Sequence, residues 1–366
     1  MKPCVILAGA GHAHAQVLKA WAERPMPQVE LVVVSPQALT PYSGMVPGWL
    51  AGTYRYEDIV IDFPALCRRA GARWVAAAIE RVDPDDQRLE LDNGESLQFD
   101  WLSLNIGSTL MPPAGDFEAQ VLSLRPLSRL QTQYDALLLR WAQDDSRRPF
   151  VVTAIGGGAA GFESLLAVLH RLRKMRPDRE VQGALLTRDQ VLLYGYPSST
   201  QRRALRALQR AGVRVELQSA WCDAVGRRSD LVLWATGAQS HVWQKTQAAR
   251  GALAVDASGF VLIDEYLRSV SHPNIFATGD CAQWKTPLPK AGVFAVRMGP
   301  VLAGNLDAAL AAQPLQRYVP QTSFLSLLAT ADGSAIASRG RWSLSGVWAW
   351  RWKDQIDRSF VRRFAR

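Results

Sequence analysis

Two glycine clusters have the spacing of backbone that can lie against a pyrophosphate. The first is Gly9-x-Gly11, with His14 where a third glycine would complete the pattern. The second, Gly156-Gly157-Gly158-Ala159-Ala160-Gly161, completes G-x-G-x-x-G. In such a pattern one glycine permits a tight turn, one lets the backbone approach the phosphates, and one lets helix pack on strand. The helix N-terminus then faces the negative charge. No Gly-Lys-Ser/Thr follows the second cluster, so it is not a P-loop. An acid closing the next strand would bind ribose hydroxyls. Ser35 stands there after the first cluster and Thr187-Arg188 after the second. Arg188 either accepts a 2′-phosphate or is a solvated surface charge. A third motif, Ala277-Thr278-Gly279-Asp280-Cys281, offers Asp280 as a ligand or as a simple turn or N-cap residue.

These residues need strands and helices to aim them. Residues 3–8 read as a buried strand, His12 to about Glu23 as a helix, and 29–34 as the next strand. The unit recurs at 149–155, a helix from Phe162 to about Met175, and 181–187. Each is a βαβ unit, and the continuous apolar strands indicate a sheet covered on both faces. Between the units lie expected short strands at 72–78 and 88–91, a turn at 92–95, and a strand at 101–106 ending in Gly107. Beyond them lie strands at 213–217, at 231–235 before Thr236-Gly237, and at 275–277, then a helix from about 293 to 311. Proline-rich spots at 111–113 and 286–289 are expected crossings between domains. The fold class is therefore α/β with two Rossmann-like dinucleotide-binding domains. Two such domains imply two dinucleotides, a bound flavin as hydride acceptor and a nicotinamide, NADH or NADPH, as donor.

The 366 residues suit two or three domains. A hydrophobic share of 48% and a charged share of 20% exclude wholesale disorder. Cys4, Cys67, Cys222 and Cys281 form no C-x-x-C pair and no metal spacing, which fits a reducing cytoplasm. The five histidines show no metal spacing either, so no metal is expected. The apolar run Val5–Ala10 reads as a first strand rather than a targeting segment. The absence of 18 consecutive apolar residues predicts no transmembrane helix.

With Gly9/Gly11, Ala235-Thr236-Gly237 and Ala277-Thr278-Gly279-Asp280 in this order, the chain resembles the pyridine nucleotide–disulfide oxidoreductase superfamily over nearly its whole length. The resemblance implies a three-layer, glutathione-reductase-like topology, with FAD held by Gly9, Gly11, His12, Ala13, Ser35, Gly107, Gly279 and Asp280. It implies a nicotinamide site at Gly156, Gly158, Gly161, Arg188 and Gly237. It places Pro41, Tyr42 and Ser43 near the isoalloxazine, Lys290 and Ala291 near its pyrimidine side, and Glu163 near the nicotinamide–flavin contact. Glu163, Tyr42 and Lys290 are the catalytic candidates; Glu163 could equally be an acid offsetting a helix dipole. A redox cysteine pair is lacking, so the chain looks most like type II NADH dehydrogenases. It is similar in particular to short flavoproteins fused to, or encoded beside, selenophosphate synthetase. The segments 40–48, 289–297 and 350–354 carry that likeness. The acceptor would be a quinone or, alternatively, a small selenium or sulfur compound. A flavin-binding partner protein with a degenerate nicotinamide site is the third reading, kept open by His14, Ser35 and Thr187-Arg188.

The expected domains are 1–110 with 252–320 for FAD, 111–251 for NAD(P)H, and a basic, Trp-rich segment at 321–366. Eight Lys or Arg between Arg339 and Arg366, against Asp354 and Asp357, supply +6 of the net +9. Trp348, Trp352, Ile356, Phe360 and Phe364 recur every fourth residue. That pattern suits peripheral contact of 339–366 with the inner face of an anionic membrane. The alternatives are a cap on the FAD domain or a homodimer surface. No recognition motif accompanies the charge, so nucleic acid is not an expected partner.

Overall fold

The computed structural model describes residues 2–250 and 252–365. Ten strands build two parallel sheets: β1 (Cys4–Ala8), β2 (Glu30–Val34), β3 (Arg73–Val75), β4 (Trp101–Leu104), β5 (Gln120–Ser123), β6 (Phe150–Ile155), β7 (Val181–Leu186), β8 (Val213–Glu216), β9 (Leu231–Trp234) and β10 (Ile275–Ala277). The first sheet runs β10-β4-β1-β2-β3 and the second β5-β9-β6-β7-β8. Strand order reverses between β1 and β4 in one sheet and between β6 and β9 in the other. Ligands of open parallel sheets bind at such switch points, beyond the carboxyl ends of the strands. Gly9 and Gly156 begin there, right after β1 and β6.

Helices α1 (His12–Glu23), α2 (Ala159–Met175) and α3 (Gly292–Leu310) bury apolar residues against these sheets. Helix α2 begins at Ala159, three residues before the expected Phe162, because the glycine turn itself supplies its N-cap, Gly158. Helix α3 has 19 residues and is long and apolar enough to cross a membrane by length and composition alone, a test that a buried core helix also passes. Arg297, Asn305 and Asp307 interrupt its apolar run. It packs on α1, where Gln16 Nε2 donates to Val296 O (2.6 Å) and Trp21 Nε1 to Asp307 Oδ1 (2.6 Å).

The chain leaves the first sheet after β4, and residues 111–113 lie on that crossing. The crossing segments pair at Thr109 and Gln239, which exchange both backbone bonds at 2.8 and 2.9 Å. Residues 286–289 are not a crossing. They join the strand Ala282–Trp284 to α3, all beside the first sheet, and Leu288 and Pro289 line a cleft with Asp280.

The terminal region is more than a short segment. It forms an antiparallel sheet, β11 (Ser326–Ala329), β12 (Ala335–Arg339) and β13 (Trp342–Gly346), followed by helix α4 (Val347–Arg362). The aromatic stripe does not form one face. A fourfold interval overshoots the 3.6-residue turn by about 40° per step, so its two ends diverge. Trp348 (45%), Trp352 (39%) and Ile356 (40%) are exposed, while Phe360 (5%) and Phe364 (6%) are buried.

Candidate active site

The first glycine turn closes around a residue the motif does not contain. Gly9 sits at φ +103°, and a Cβ there would stand 2.5 Å from the carbonyl of Asn105. A Cβ on Gly11 would collide with the Asn105 side chain. Asn105, just beyond β4, is 3% exposed. Its Oδ1 accepts from Ala13 N (3.1 Å) and His14 N (3.4 Å), and its Nδ2 donates to Thr278 O (2.8 Å). It thus caps α1, which has no side-chain cap of its own, and ties the first glycine turn to the Thr278-Gly279-Asp280 motif. Its position at the end of the strand beside β1 is the signal that could have found it. The Ala13 amide is consequently used within the protein.

His14 explains the missing third glycine. Its Nδ1 donates to Gly9 O (2.7 Å) and its Nε2 accepts from Ser103 Oγ (2.9 Å). Burial holds its pKa down to about 4, so the ring stays neutral and fixes the turn. Ser35 is buried and folds back on Gln37, whose N–H donates to its Oγ (3.3 Å).

His12 and Asp280 carry unused polar atoms into this region. Burial lowers the His12 pKa to about 4, and its Nε2 is buried without a partner among the described residues, as is Thr278 Oγ1. Asp280 Oδ2 accepts from Ser108 Oγ (3.2 Å) and from Arg125 Nη1. Its Oδ1 has no partner among the described residues. Arg125 Nη2 also donates to Lys290 O (3.2 Å). Arg125 stands just after β5, in the second sheet, so no local motif announces it. Polar atoms without partners beside a glycine turn too tight for any side chain fit an FAD: His12 Nε2 and Thr278 Oγ1 could donate to pyrophosphate oxygens, and Asp280 Oδ1 could accept from ribityl hydroxyls.

The flavin-side candidates converge in part. A Cβ on Gly292 would stand 2.7 Å from Ser43 Oγ, so the Pro41-Tyr42-Ser43 loop meets the N-terminus of α3, whose cap residue is Ala291. Tyr42 packs edge-on to His12 (5.4 Å between centroids) and against Phe360 (4.5 Å). Lys290 points elsewhere. Its Nζ donates to Ala282 O (2.6 Å) and lies 3.8 Å over the Phe260 ring. Burial lowers its pKa.

Helix α4 closes this region from outside. Lys353 Nζ donates to Gly44 O (2.6 Å) and to Asp357 Oδ2 (2.8 Å), both side chains being 7% exposed. Tyr54 donates to Asp354 Oδ1 (2.6 Å) and stacks on Trp350. Glu163, in the first turns of α2, accepts from Ala329 N (2.7 Å) at the end of β11. Burial pushes its carboxyl from 4.5 up to about 7, opposed by Lys353 and by the Ala329 bond and reinforced by Asp357. Lys353 and Asp357 escaped notice because tail charges ordinarily read as solvated.

The Glu163 shift has a stability consequence. Between its ordinary 4.5 and about 7, the folded protein binds more of this proton than the unfolded chain. The contribution is present below about pH 4.5 and is lost as pH rises through about 7. Glu163→Gln, which keeps an acceptor for Ala329, should therefore melt above the native protein at pH 8 and lose that advantage at pH 4. Equal melting curves at both pH values would contradict the shift.

The second glycine turn is built differently. Gly156 sits at φ +121°, where a Cβ would collide with Ala235 O, and a Cβ on Gly161 would collide with Gly156 O. Gly158 instead faces open space, with nothing within 4 Å of an added Cβ, and α2 begins without a side-chain cap. An uncapped helix N-terminus under open space suits a dinucleotide pyrophosphate. Gly107 and Gly237 lie near the crossing, also with open space around them. Arg188 is exposed beyond β7.

The four cysteines are free and scattered. Cys281, nearest the site, donates to Thr278 O (3.2 Å), and burial pushes its thiol up to about 11. Burial and a protonated thiol are the setting of a structural cysteine. No group of His, Cys, Asp or Glu among the described residues could hold a metal ion.

Known proteins share this architecture. An alternative NAD(P)H-ubiquinone oxidoreductase C1 of Arabidopsis thaliana is 25% identical, over 85% of this chain and 68% of its own. A type II NADH:quinone oxidoreductase of Staphylococcus epidermidis is 24% identical, over 91% of this chain and 89% of its own. The sulfide:quinone oxidoreductase structure from Aquifex aeolicus superposes with a TM-score of 0.79 at 18% identity, covering 99% of this chain and 91% of that one; it speaks for the fold alone. The family model for pyridine nucleotide-disulphide oxidoreductases matches residues 3–299, the stretch holding both glycine turns and the Asp280 motif, and the chain belongs to that family.

Proposed function

We propose that the protein oxidises NAD(P)H through FAD and passes the electrons to a quinone, with no redox disulfide. The observation that carries this reading is the pair of glycine turns at two switch points, with no cysteine pair between them. Bound FAD would supply the two-electron acceptor for hydride. Gly9, Gly11 and His12 would hold its pyrophosphate, and Asp280 Oδ1 its ribityl hydroxyls. The uncapped N-terminus of α3, at Ala291 and Gly292, would favour negative charge beside the Pro41–Ser43 loop. Gly156, Gly158 and Gly161 would seat the nicotinamide nucleotide.

Glu163 retains its proton into the neutral range and sits by Lys353 and Asp357, under the cover of α4. A carboxyl that keeps its proton to about pH 7 would be able to hand it to a reduced acceptor. Tyr42, packed between His12 and Phe360, shields the region from water. Lys290, held on Ala282 O, positions the segment before α3 rather than a reacting atom. A selenium or sulfur substrate draws no support from Cys281, whose thiol stays protonated.

The exposed face of the terminal region favours peripheral membrane contact, where a quinone would be met. Trp342, Leu344, Val347, Trp348, Trp352 and Ile356 are all exposed there, beside the exposed Arg339, Arg341 and Arg351. Amphipathic aromatics flanked by arginines match an anionic bilayer interface.

The test is an anaerobic titration of the FAD-loaded protein with each donor, followed by a short-chain ubiquinone. Bleaching of the flavin band and its return on adding the quinone are expected. A flavin that neither donor bleaches would overturn the reading, and bleaching without reoxidation would remove the quinone.

A further inference from the structure

We propose that the donor is the 2′-phosphorylated nucleotide, NADPH, and that Arg188 selects it. The inference rests on the NAD(P)H reading above and sharpens it. In a dinucleotide fold, the residue that closes the second strand of the βαβ unit meets the adenosine ribose. A carboxylate there accepts from both ribose hydroxyls and repels a 2′-phosphate, whereas an arginine accepts the phosphate. Here the strand is β7, and the residue that closes it is Thr187.

Thr187 lies against the middle glycine of the turn: a Cβ on Gly157 would stand 2.8 Å from Thr187 Cβ. The residue next to the glycine turn is therefore neutral and 4% exposed. Its hydroxyl is used locally, donating to Asp189 Oδ2 (3.1 Å) and accepting from Asp189 N (3.2 Å). That closed turn draws the Asp189 carboxylate back to Thr187. The other nearby acid, Glu216 on β8, is paired with Arg214 at 2.8 Å. Arg188 is exposed between Thr187 and Asp189 and makes no hydrogen bond or ion pair with any described residue. Glu216 is thus paired and Asp189 is turned back onto Thr187, and the one positive charge on residues 186–190 is the Arg188 guanidinium, with no partner among the described residues. Its planar donors match a phosphate in two bonds at once.

The test is a calorimetric titration of the FAD-loaded protein with NADP+ and with NAD+, on the native chain and on Arg188→Gln. One charge-assisted contact of this kind is worth roughly tenfold or more in affinity, so native protein should bind NADP+ at least that much more tightly than NAD+. In Arg188→Gln the NADP+ affinity should fall to near that of NAD+, which should itself stay unchanged. Arg188 is exposed and unpartnered, so the variant should fold, and an unchanged melting temperature checks that. Native protein that binds NAD+ as tightly as NADP+ overturns the inference, and so does a variant that weakens both equally. If NAD+ binds tighter and NADH bleaches the flavin, only this inference fails. If neither nucleotide binds and neither donor bleaches the flavin, the dehydrogenase reading falls with it.

Discussion

A Gly158→Val protein should fold, hold FAD and lose its reduction by NAD(P)H. The reason lies in the difference between three glycines of one motif. At Gly156 and Gly161 an added Cβ meets backbone oxygen, of Ala235 and of Gly156 itself. Backbone cannot step aside cheaply, so side chains there would damage the second domain. Gly158 has φ −77°, an ordinary value for any residue, and an added side chain meets nothing within 4 Å. The fold is indifferent to what stands there, and only a ligand over the N-terminus of α2 is not. A valine would occupy the space the pyrophosphate needs. A displacement of about 1 Å is enough to cost on the order of 100-fold in a reaction that depends on alignment. Anaerobic stopped-flow bleaching should slow at least that much, while the melting temperature and flavin content stay native. Gly161→Val is the contrast and should melt far lower. Native-rate bleaching in Gly158→Val would remove the second glycine turn from the donor site.

That contrast also shows what was legible in the sequence. Strand, glycine turn, helix and strand are local, so both βαβ units could be read from spacing and apolar runs, and β10 with Asp280 likewise. What escaped reading was made by distant residues. Asn105 meets Gly11 across 94 positions, and Arg125 meets Asp280 across 155. No periodicity links such pairs. The terminal region misled for a different reason. Its aromatics recur with a period near that of a helix but not equal to it. A stripe that looked continuous therefore divides into an exposed half at Trp348 and Trp352 and a buried half at Phe360. Lys353 and Asp357 looked like two more tail charges. Only packing against Gly44 shows that they are buried, where losing one partner of such a pair typically costs about 3–5 kcal/mol.

Asp280→Ala should purify largely without flavin. Asp280 does two things at once in this structure. Its Oδ2 receives Ser108 and Arg125, which hold the carboxylate from two different sheets, while its Oδ1 has no partner among the described residues and the side chain lines the cleft. Alanine removes the free acceptor and also takes the carboxylate from Arg125, whose remaining bonds are to Ser108 Oγ and to Lys290 O, ahead of α3. A hydrogen bond to a charged group contributes about 1.5–3 kcal/mol, so loss of the acceptor alone should weaken FAD by roughly ten- to a hundredfold. A purely structural role for Asp280 would lower stability whether or not FAD is present. A role in holding the cofactor would also take away most of the rise in melting temperature that added FAD gives the native chain, since a ligand stabilises only the state that binds it. Asp280→Asn keeps an acceptor but not the charge that holds Arg125, and should retain an intermediate flavin content. If Asp280→Ala purifies with a full complement of FAD, the carboxylate is a turn residue, and the ribityl chain must be held by His12 and the glycine turn without it.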